Sequence, residues 1–153
     1  MSRAYLHVQP APAPTPRAQN RNQNGAFAMA RDAVTLQNSK LDNIPLSPAV
    51  RLGAALYVSG QIGLDPDAGA LAEGGVGAET EQAFKNLGAV LTAAGKTLDD
   101  IVKVNVYLTD MAEFAAMNDI YARAFAKPYP ARTCIAVRAL PFGAAVEIEA
   151  VAG

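Results

Sequence analysis

The chain has 153 residues, 51% of them hydrophobic and 18% charged, which is the balance of one soluble globular domain. Its formal net charge of −1 gives no general electrostatic reason to bind nucleic acid, and no apolar run approaches the roughly 20 residues of a membrane helix. The single cysteine excludes an intrachain disulfide. The single histidine, His7, excludes a multi-histidine metal site and a histidine-based triad in the body of the domain.

Residues 1–30 are predicted to be a disordered or dispensable tail in front of a folded domain over residues 31–153. The first 31 residues are rich in proline, alanine, asparagine and glutamine, with four arginines and no acid. Residues 32–153 therefore hold nine basic and fourteen acidic side chains, a net charge of −5. An acid-free leader fits a transit peptide by composition, but this one is poor in serine and has no amphipathic stripe. We expect a cytoplasmic protein; organellar targeting by the tail, or a true start at Met29, stays open.

The domain is predicted to open with strands. Asp32 to Leu36 is a candidate edge strand, and the loop of residues 43–48 cannot be a central strand because its two prolines lack a backbone donor. Residues 49–62 alternate apolar and polar side chains about a turn at Gly53, which indicates a hairpin. A turn cluster of residues 65–69 follows.

A helix is predicted from Glu79 to Ala94, where apolar residues recur at helical spacing, and Gly95 is a suitable terminating residue. The glycine-rich residues 74–77 before it lack the lysine of a phosphate loop and are interpreted as a flexible linker. Period-two alternation then predicts a strand over Asp100 to Thr109.

A second helix is predicted after Asp110, which with Glu113 forms an acidic version of a capping box. Its apolar stripe contains Phe114, Met117, Ile120, Tyr121 and Phe125.

Residues 129–151 are predicted to form two strands joined by a short loop at residues 140–143. Thr133, Ile135 and Val137 alternate with polar residues in the first strand, as Val146, Ile148 and Ala150 do in the second. If the two strands pair as a hairpin with these apolar sets on one face, the other face combines Arg132, Cys134, Glu147 and Glu149.

The order of elements predicts an α+β fold, a mixed six-stranded sheet with two helices on one face. Each helix has a single apolar stripe, so both helices can cover the same side of the sheet. The other side is left semi-polar, which suits burial against another subunit better than exposure to water. We therefore expect an oligomer with a site at its interface.

Four separated segments, SGQIGLDPDAG, VYLTDMAEF, PARTC and VEIEAVA, closely resemble the RidA (YjgF) family of reactive-intermediate deaminases, over about residues 35–153. The resemblance implies a chorismate-mutase-like homotrimer with active sites in the clefts between subunits. It also implies hydrolysis of 2-imino acids, the tautomers of enamines such as 2-aminoacrylate, to 2-keto acids and ammonia. No metal, cofactor, nucleic acid or membrane partner is expected.

The resemblance also implies roles for individual residues. Arg132 of PARTC clamps the substrate carboxylate, Glu147 positions water, and Cys134 lines the pocket as the third member of the catalytic set. The implied substrate-binding residues besides Arg132 are Ser59, Gly60, Asn118 and Leu46, and Gln61 completes the S-G-Q turn. Leu46 stands where the family usually has a tyrosine, which affects the expected substrate range and rate.

The chemistry agrees with these roles, because a guanidinium binds a carboxylate through two parallel hydrogen bonds and a carboxylate can activate water. Simpler interpretations compete with them. Arg132 could pair with Glu149, Glu147 could pair with Arg138, and Cys134 has no histidine to activate it as a nucleophile. At the level of the whole protein, a non-catalytic ligand-binding or regulatory trimer is the alternative. Ribonuclease activity fits poorly because the domain is acidic.

Overall fold

The computed structural model describes residues 32–36 and 44–153. The predicted tail of residues 1–30 and the start of the predicted loop at Asn43 lie outside these residues, so both stay predictions. The described part contains eight strands and two α-helices, which run in the order β1 (Asp32–Val34), β2 (Ala49–Leu52), β3 (Ala55–Ile62), β4 (Leu64–Asp65), β5 (Ala70–Leu71), α1 (Gly75–Ala93), β6 (Ile101–Leu108), α2 (Phe114–Ala124), β7 (Ala131–Ala136) and β8 (Val146–Ala152). Neither helix is long and apolar enough to cross a membrane.

Six strands form one sheet in the order β1-β2-β3-β8-β6-β7, and β4 and β5 form a separate two-stranded ribbon. Every neighbouring pair in the large sheet is antiparallel except β6 and β7, which run parallel. Parallel neighbours need a crossover connection, and α2 supplies it between β6 and β7. The predicted mixed six-stranded α+β sheet with two helices is confirmed.

Both helices pack on one side of the sheet, which we call the covered face. Its strand residues are apolar and buried, and with the helices they form one core that contains Leu56, Val58, Val104, Val106, Leu108, Val146, Ile148, Leu87, Leu91, Met117 and Tyr121. The alternate positions on the same strands form the open face, which no element of the described chain covers: Tyr57, Lys103, Asn105, Tyr107, Thr133, Ile135, Glu147, Glu149 and Val151.

Helix α1 begins at Gly75, four residues before the predicted start, so the interpretation of residues 74–77 as a flexible linker is wrong. Gly74 and Gly75 have φ of 118° and 75°, a backbone turn that glycine permits and that leads the chain into the helix. The predicted end is confirmed. Gly95 has φ of 72°, and the Lys96 N–H donates to the Leu91 carbonyl at 2.8 Å, which is the Schellman arrangement.

Strands β7 and β8 do not form the predicted hairpin, because β6 lies between them. Arg132 pairs in register with Val104, and Cys134 with Val106, so both side chains lie on the covered face. Ile135, predicted to be in the core, lies on the open face and is 48% exposed. The predicted common face for Arg132, Cys134, Glu147 and Glu149 is therefore wrong. Strand β7 is an edge strand, and α2 accepts the arginine where an apolar side chain would be expected.

Candidate functional site

Helix α2 holds the Arg132 guanidinium on the covered face. Nη1 of Arg132 donates to Oδ1 of Asn118 at 2.9 Å. The guanidinium carbon lies over two rings of the same helix, 4.3 Å from the centroid of Tyr121 and 5.6 Å from that of Phe114. Asn118 was predicted to bind substrate, and its observed contact is with the arginine that was predicted to do so.

Arg132 is half-buried and has no acidic partner in the described chain. Within residues 32–36 and 44–153, the two ion pairs are Arg51 with Asp32 and Arg123 with Glu81. The alternative in which Arg132 pairs with Glu149 is therefore wrong, since Glu149 lies on the opposite face. A guanidinium has five N–H donors, and a partly buried cation without a counter-ion is a favourable site for an anionic ligand.

Cys134 follows Arg132 on the same face of β7 and packs against the hydrophobic core. Burial raises the pKa of its thiol, and the nearby charge of Arg132 opposes that effect. A thiol with a raised pKa is a poor nucleophile. This agrees with a residue that lines a pocket rather than one that attacks substrate.

Glu147 lies on the open face, directly over Gly60 of β3. Any Cβ at position 60 would collide with the Glu147 carboxylate, so only glycine leaves room for the acid in this position. Strand β3 has a register irregularity between Val58 and Gln61, the stretch that contains Gly60. The structure thus brings Gly60 and Glu147, two predicted site residues, into direct contact.

The environment of Glu147 favours its protonated form. Burial, and then the negative charge of Glu149 two residues further along the same face, raise the pKa of Glu147. Glu149 is fixed by Asn105, whose Nδ2 donates to it at 2.6 Å, and by Tyr107, whose hydroxyl donates to it at 2.9 Å. Glu149 is thus hydrogen-bonded within the sheet to two side chains of β6. The alternative pairing of Glu147 with Arg138 is not found among the described residues.

Ser59 fastens the preceding loop to β3. Its hydroxyl donates to the Ser47 carbonyl at 2.7 Å, and its backbone N–H donates to the Pro48 carbonyl at 3.0 Å. These bonds tie β3 to the loop that carries Leu46, which is 46% exposed. The hydroxyl of Ser59 is therefore already used as a donor.

The predicted site residues thus fall into two clusters. The arginine cluster is Arg132, Cys134, Asn118, Phe114 and Tyr121 on the covered face. The glutamate cluster is Glu147 over Gly60 at the open face, with Ser59 next to Gly60 in β3 and Leu46 on the loop that Ser59 binds. Arg132 lies opposite Val104 and Glu147 opposite Tyr107, so the two are separated by three residues along β6 and by two strand spacings, about 14 Å between Cα atoms.

Two kinds of site residue were not predicted from the sequence. Tyr121 and Phe114 were recognised only as part of an apolar stripe, because an aromatic residue at helical spacing does not indicate a cation on its ring. Glu79 of α1 was not singled out; it is buried, and its Oε2 accepts the backbone N–H of Ala145 at 2.8 Å, two residues before Glu147. No cluster of three or more histidine, cysteine or acidic side chains in the described ranges could hold a metal ion.

Comparison with known proteins agrees with this geometry. The family model described as endoribonuclease L-PSP matches residues 37–153. A mouse protein named 2-iminobutanoate/2-iminopropanoate deaminase is 49% identical over 108 residues, which are 71% of this chain and 80% of the mouse protein.

Solved structures are similarly close. A Yersinia pestis protein of the Rid family, of unknown function, superposes with a TM-score of 0.76 at 42% identity, over 81% of this chain and 99% of that one. RidA from an Antarctic Psychrobacter superposes with a TM-score of 0.74 at 41% identity, over 80% of this chain and 98% of that one. With the sheet, the PARTC arginine and the glutamate over its glycine all in place, this chain belongs to the RidA (YjgF) family.

Proposed function

We propose that this protein hydrolyses 2-imino acids to 2-keto acids and ammonia. Water adds to the imine carbon to form an amino alcohol, and the carbon–nitrogen bond then breaks to release ammonia and leave the ketone. In each step one proton passes from the oxygen of the former water to the nitrogen, first as water adds and then as the hydroxyl becomes the carbonyl. A single carboxylate can accept each proton from oxygen and return it to nitrogen, so the overall reaction requires no other reactant. Relatives that are named as deaminases of 2-iminobutanoate and 2-iminopropanoate support this reaction.

The observation that carries the proposal is the unpaired guanidinium of Arg132. Asn118 takes one of its N–H groups, and no carboxylate of the described chain takes the others. A planar guanidinium binds a carboxylate with two parallel hydrogen bonds, and the substrates in question are small acids. Arg132 would therefore hold the substrate by its carboxylate, with Cys134 beside it as a wall of the pocket.

Glu147 would activate the water. Burial and the charge of Glu149 raise the pKa of its carboxyl, which brings its proton affinity closer to that of groups that exchange protons near neutral pH. Gly60 leaves the carboxylate free of side-chain cover from β3. Leu46 would form an apolar wall nearby, suited to the short side chains of small imino acids.

The separation of the two clusters implies that a second copy of the chain completes the site. A carboxylate bound to Arg132 cannot bring its imine carbon to Glu147 of the same copy, because a small imino acid is far shorter than about 14 Å and the sheet lies between them. We therefore propose a cyclic homotrimer, in which the arginine cluster of one copy faces the glutamate cluster of the next. Apolar side chains on the open face, Tyr57 and Ile135 among them, would be buried in this assembly.

A non-catalytic ligand-binding trimer is the second candidate. Within one copy the arginine cluster is complete without Glu147, so a keto acid could bind there without turnover. A ribonuclease role has less support, because residues 32–153 have a net charge of −5 and Lys103 is the one cation among the open-face residues. Cytoplasmic location is an expectation from the sequence alone.

The test is a coupled assay in which an amino-acid oxidase generates imines from several amino acids, with and without this protein. We expect faster loss of small 2-imino acids with wild-type protein, none with Arg132→Ala, and little with Arg132→Lys, which keeps the charge but loses the two-pronged geometry. Glu147→Gln should bind 2-oxobutanoate normally and lower turnover about 100-fold or more. Arg138→Ala, an exposed arginine on the same chain segment, is the matched control. If wild-type protein binds 2-oxobutanoate but does not accelerate the loss of any imine, the deaminase proposal is refuted and the non-catalytic ligand-binding trimer is favoured.

A further inference from the structure

Tyr121 lies in an aromatic cluster between the two helices. Its ring centroid is 4.8 Å from that of Phe125 and 6.0 Å from that of Phe84, and the latter two centroids are 5.6 Å apart. Tyr121 is only 4% exposed. Edge-to-face and tilted contacts of this kind fix a ring in position, so Tyr121 has little freedom to adopt another rotamer.

This fixed ring is also a surface for Arg132. The guanidinium carbon is 4.3 Å from the ring centroid, within the distance at which a cation is attracted to an aromatic face. The contact fixes the tilt of the guanidinium plane, and the hydrogen bond from Nη1 to Asn118 fixes its rotation within that plane. Asn118 and Tyr121 are three residues apart, on one face of α2. Together they determine the direction in which the unbound N–H groups of Arg132 point.

The hydroxyl of Tyr121 takes no part in these contacts. Its oxygen is buried and has no hydrogen-bond partner in the described part of the chain. Tyr121 therefore supports Arg132 through its ring and not through a hydrogen bond from its hydroxyl. Burial raises the pKa of Tyr121, against the opposing charge of Arg132, so the ring that the arginine meets is neutral.

We propose that Tyr121 is a positioning residue for Arg132. The face of the Tyr121 ring orients the guanidinium so that a planar carboxylate can bind to it with two hydrogen bonds. The proposal rests on the proposed function for its ligand class, small 2-imino and 2-keto acids. It extends that function by assigning carboxylate recognition to a side chain that does not touch the ligand. A guanidinium without this support would tilt, and one of the two parallel hydrogen bonds would be lost.

The chain offers two matched comparisons for a test. Tyr121→Phe keeps the ring and removes the hydroxyl, whereas Tyr121→Leu removes the ring. Phe125→Leu removes a neighbouring ring of the same cluster, whereas the rings that Arg132 lies over in the described chain are Phe114 and Tyr121, so this variant reports the effect of damaged packing. The ligand is 2-oxobutanoate, titrated by calorimetry into the assembled protein.

We expect Tyr121→Leu to weaken the binding of 2-oxobutanoate about 3- to 30-fold, which is the range for the loss of a partly desolvated cation–π contact. Tyr121→Phe and Phe125→Leu should stay within about 2-fold of wild type, although Phe125→Leu lowers Tm. In the imine assay, Tyr121→Leu should raise KM and change kcat little, because Glu147 and its water are not disturbed. A merely structural role for Tyr121 would give Phe125→Leu and Tyr121→Leu the same loss of affinity, and that result would overturn the proposal.

A second measurement needs neither ligand nor turnover. The NMR signal of the Arg132 Nε–H group, identified by its disappearance in Arg132→Lys, should show an upfield ring-current shift in wild-type protein. The shift should persist in Tyr121→Phe and Phe125→Leu and vanish in Tyr121→Leu. If the Arg132 signal is the same in all variants, or if Tyr121→Phe loses as much affinity as Tyr121→Leu, the ring does not position the arginine. Wild-type protein that binds 2-oxobutanoate but hydrolyses no imine would end the proposed function, while the same affinity series would still support the positioning role.

Discussion

Arg132 and Glu147 lie on opposite faces of one sheet, on strands that β6 separates. Arg132 is held under α2 by Asn118 and Tyr121, and Glu147 extends from the other side over Gly60. One copy of the chain therefore presents either Arg132 or Glu147 to a given small ligand, but not both. If the proposed reaction requires both groups, it also requires the proposed assembly, and this can be tested with hybrid oligomers.

Hybrid oligomers should recover activity that neither parent variant has. In a cyclic trimer, a site between an Arg132-intact copy and a Glu147-intact copy has both groups, so every hybrid of Arg132→Ala and Glu147→Gln chains should have one complete site of its three, or about one third of the wild-type activity. The measurement is imine hydrolysis by co-expressed, doubly tagged hybrids. Each variant purified alone is the control. Hybrids that are no more active than the parents would show that both groups come from one copy, or that no shared site exists.

The pH dependence of hydrolysis should report the influence of Glu149 on Glu147. Because burial and the charge of Glu149 raise the pKa of Glu147, the activity should fall on the acid side at a higher pH than an ordinary glutamate would give. Within one copy the neighbours of Glu147 are Gly60 and Ile62 from β3, Tyr107 from β6 and Glu149 from its own strand. Glu149→Gln removes the only neighbouring charge among them, so the acid limb of the kcat/KM profile should move to lower pH.

The same raised pKa has a consequence for stability with a definite sign. The folded protein holds the Glu147 proton more tightly than the unfolded chain does, so its contribution is fully present below the unfolded pKa and is lost as pH rises through the folded one. Glu147→Gln should remove this part of the pH dependence of unfolding.

Tyr107→Phe is the control for the Glu149→Gln pH profile, since it removes a hydrogen bond to Glu149 but no charge. A limb that moves equally in Tyr107→Phe and Glu149→Gln would contradict an effect of charge.

Most of the sheet could be predicted from the sequence, and the faces of β7 could not, for a physical reason. In β6 and β8 the alternation between Val104 or Ile148 and polar neighbours is strong, because one face is buried by both helices. In β7 the helix-facing positions are Arg132 and Cys134, and the apolar Ile135 faces away, so the usual pattern is reversed. A helix between β6 and β7 was a signal that these strands run parallel and adjacent, which is incompatible with a β7–β8 hairpin.

The site was predictable to a similar extent. The resemblance identified Arg132, Glu147, Gly60 and Asn118, and the structure gives each of the four a specific contact. The partition of these residues into two clusters could not be predicted, because it depends on which strand lies beside which and not on local spacing. The contact of Tyr121 with Arg132 could not be predicted for another reason. The apolar stripe of α2 that packs in the core also contains the ring that contacts the arginine, so its spacing indicates only core packing.

Gly60→Ala should damage catalysis more than folding. An added methyl group would occupy the position of the Glu147 carboxylate, so the acid must swing away from its present site. We expect kcat to fall about 100-fold or more, as for loss of the general base, while the affinity for 2-oxobutanoate changes little. Gly88→Ala is the matched control, since a methyl group on this helical glycine would have no other atom within 4 Å and alanine favours the helix.

The variant pair gives a clear decision between two roles for Gly60. If Gly60→Ala keeps wild-type kcat at an unchanged Tm, Glu147 does not act from the position over Gly60. If Gly60→Ala simply fails to fold while Gly88→Ala folds, the close approach of β3 and β8 is required for the sheet itself. In that case the base must be tested through Glu147→Gln alone.

Glu79 should position Glu147 through the backbone. Its carboxylate accepts the Ala145 N–H at 2.8 Å, and the α1 backbone at Glu79 packs so closely on Gly63 that a Cβ there would lie 2.5 Å from the Glu79 Cα. One residue of α1 thus contacts the chain three residues after Gly60 and again two residues before Glu147. Loss of this acceptor would free the start of β8, where Glu147 is held.

The decisive comparison is Glu79→Gln with Glu79→Ala. Glutamine keeps an oxygen that can accept the Ala145 N–H, so its kcat should stay within a few-fold of wild type. Alanine leaves the partly buried Ala145 N–H without this acceptor, which should destabilise the fold by about 1 kcal/mol or more. In Glu79→Ala protein that still folds, kcat should fall while the affinity for 2-oxobutanoate stays unchanged, because Arg132 belongs to the arginine cluster and not to the glutamate cluster. Equal losses of affinity and kcat would mean that Glu79 supports the fold as a whole and does not position the glutamate.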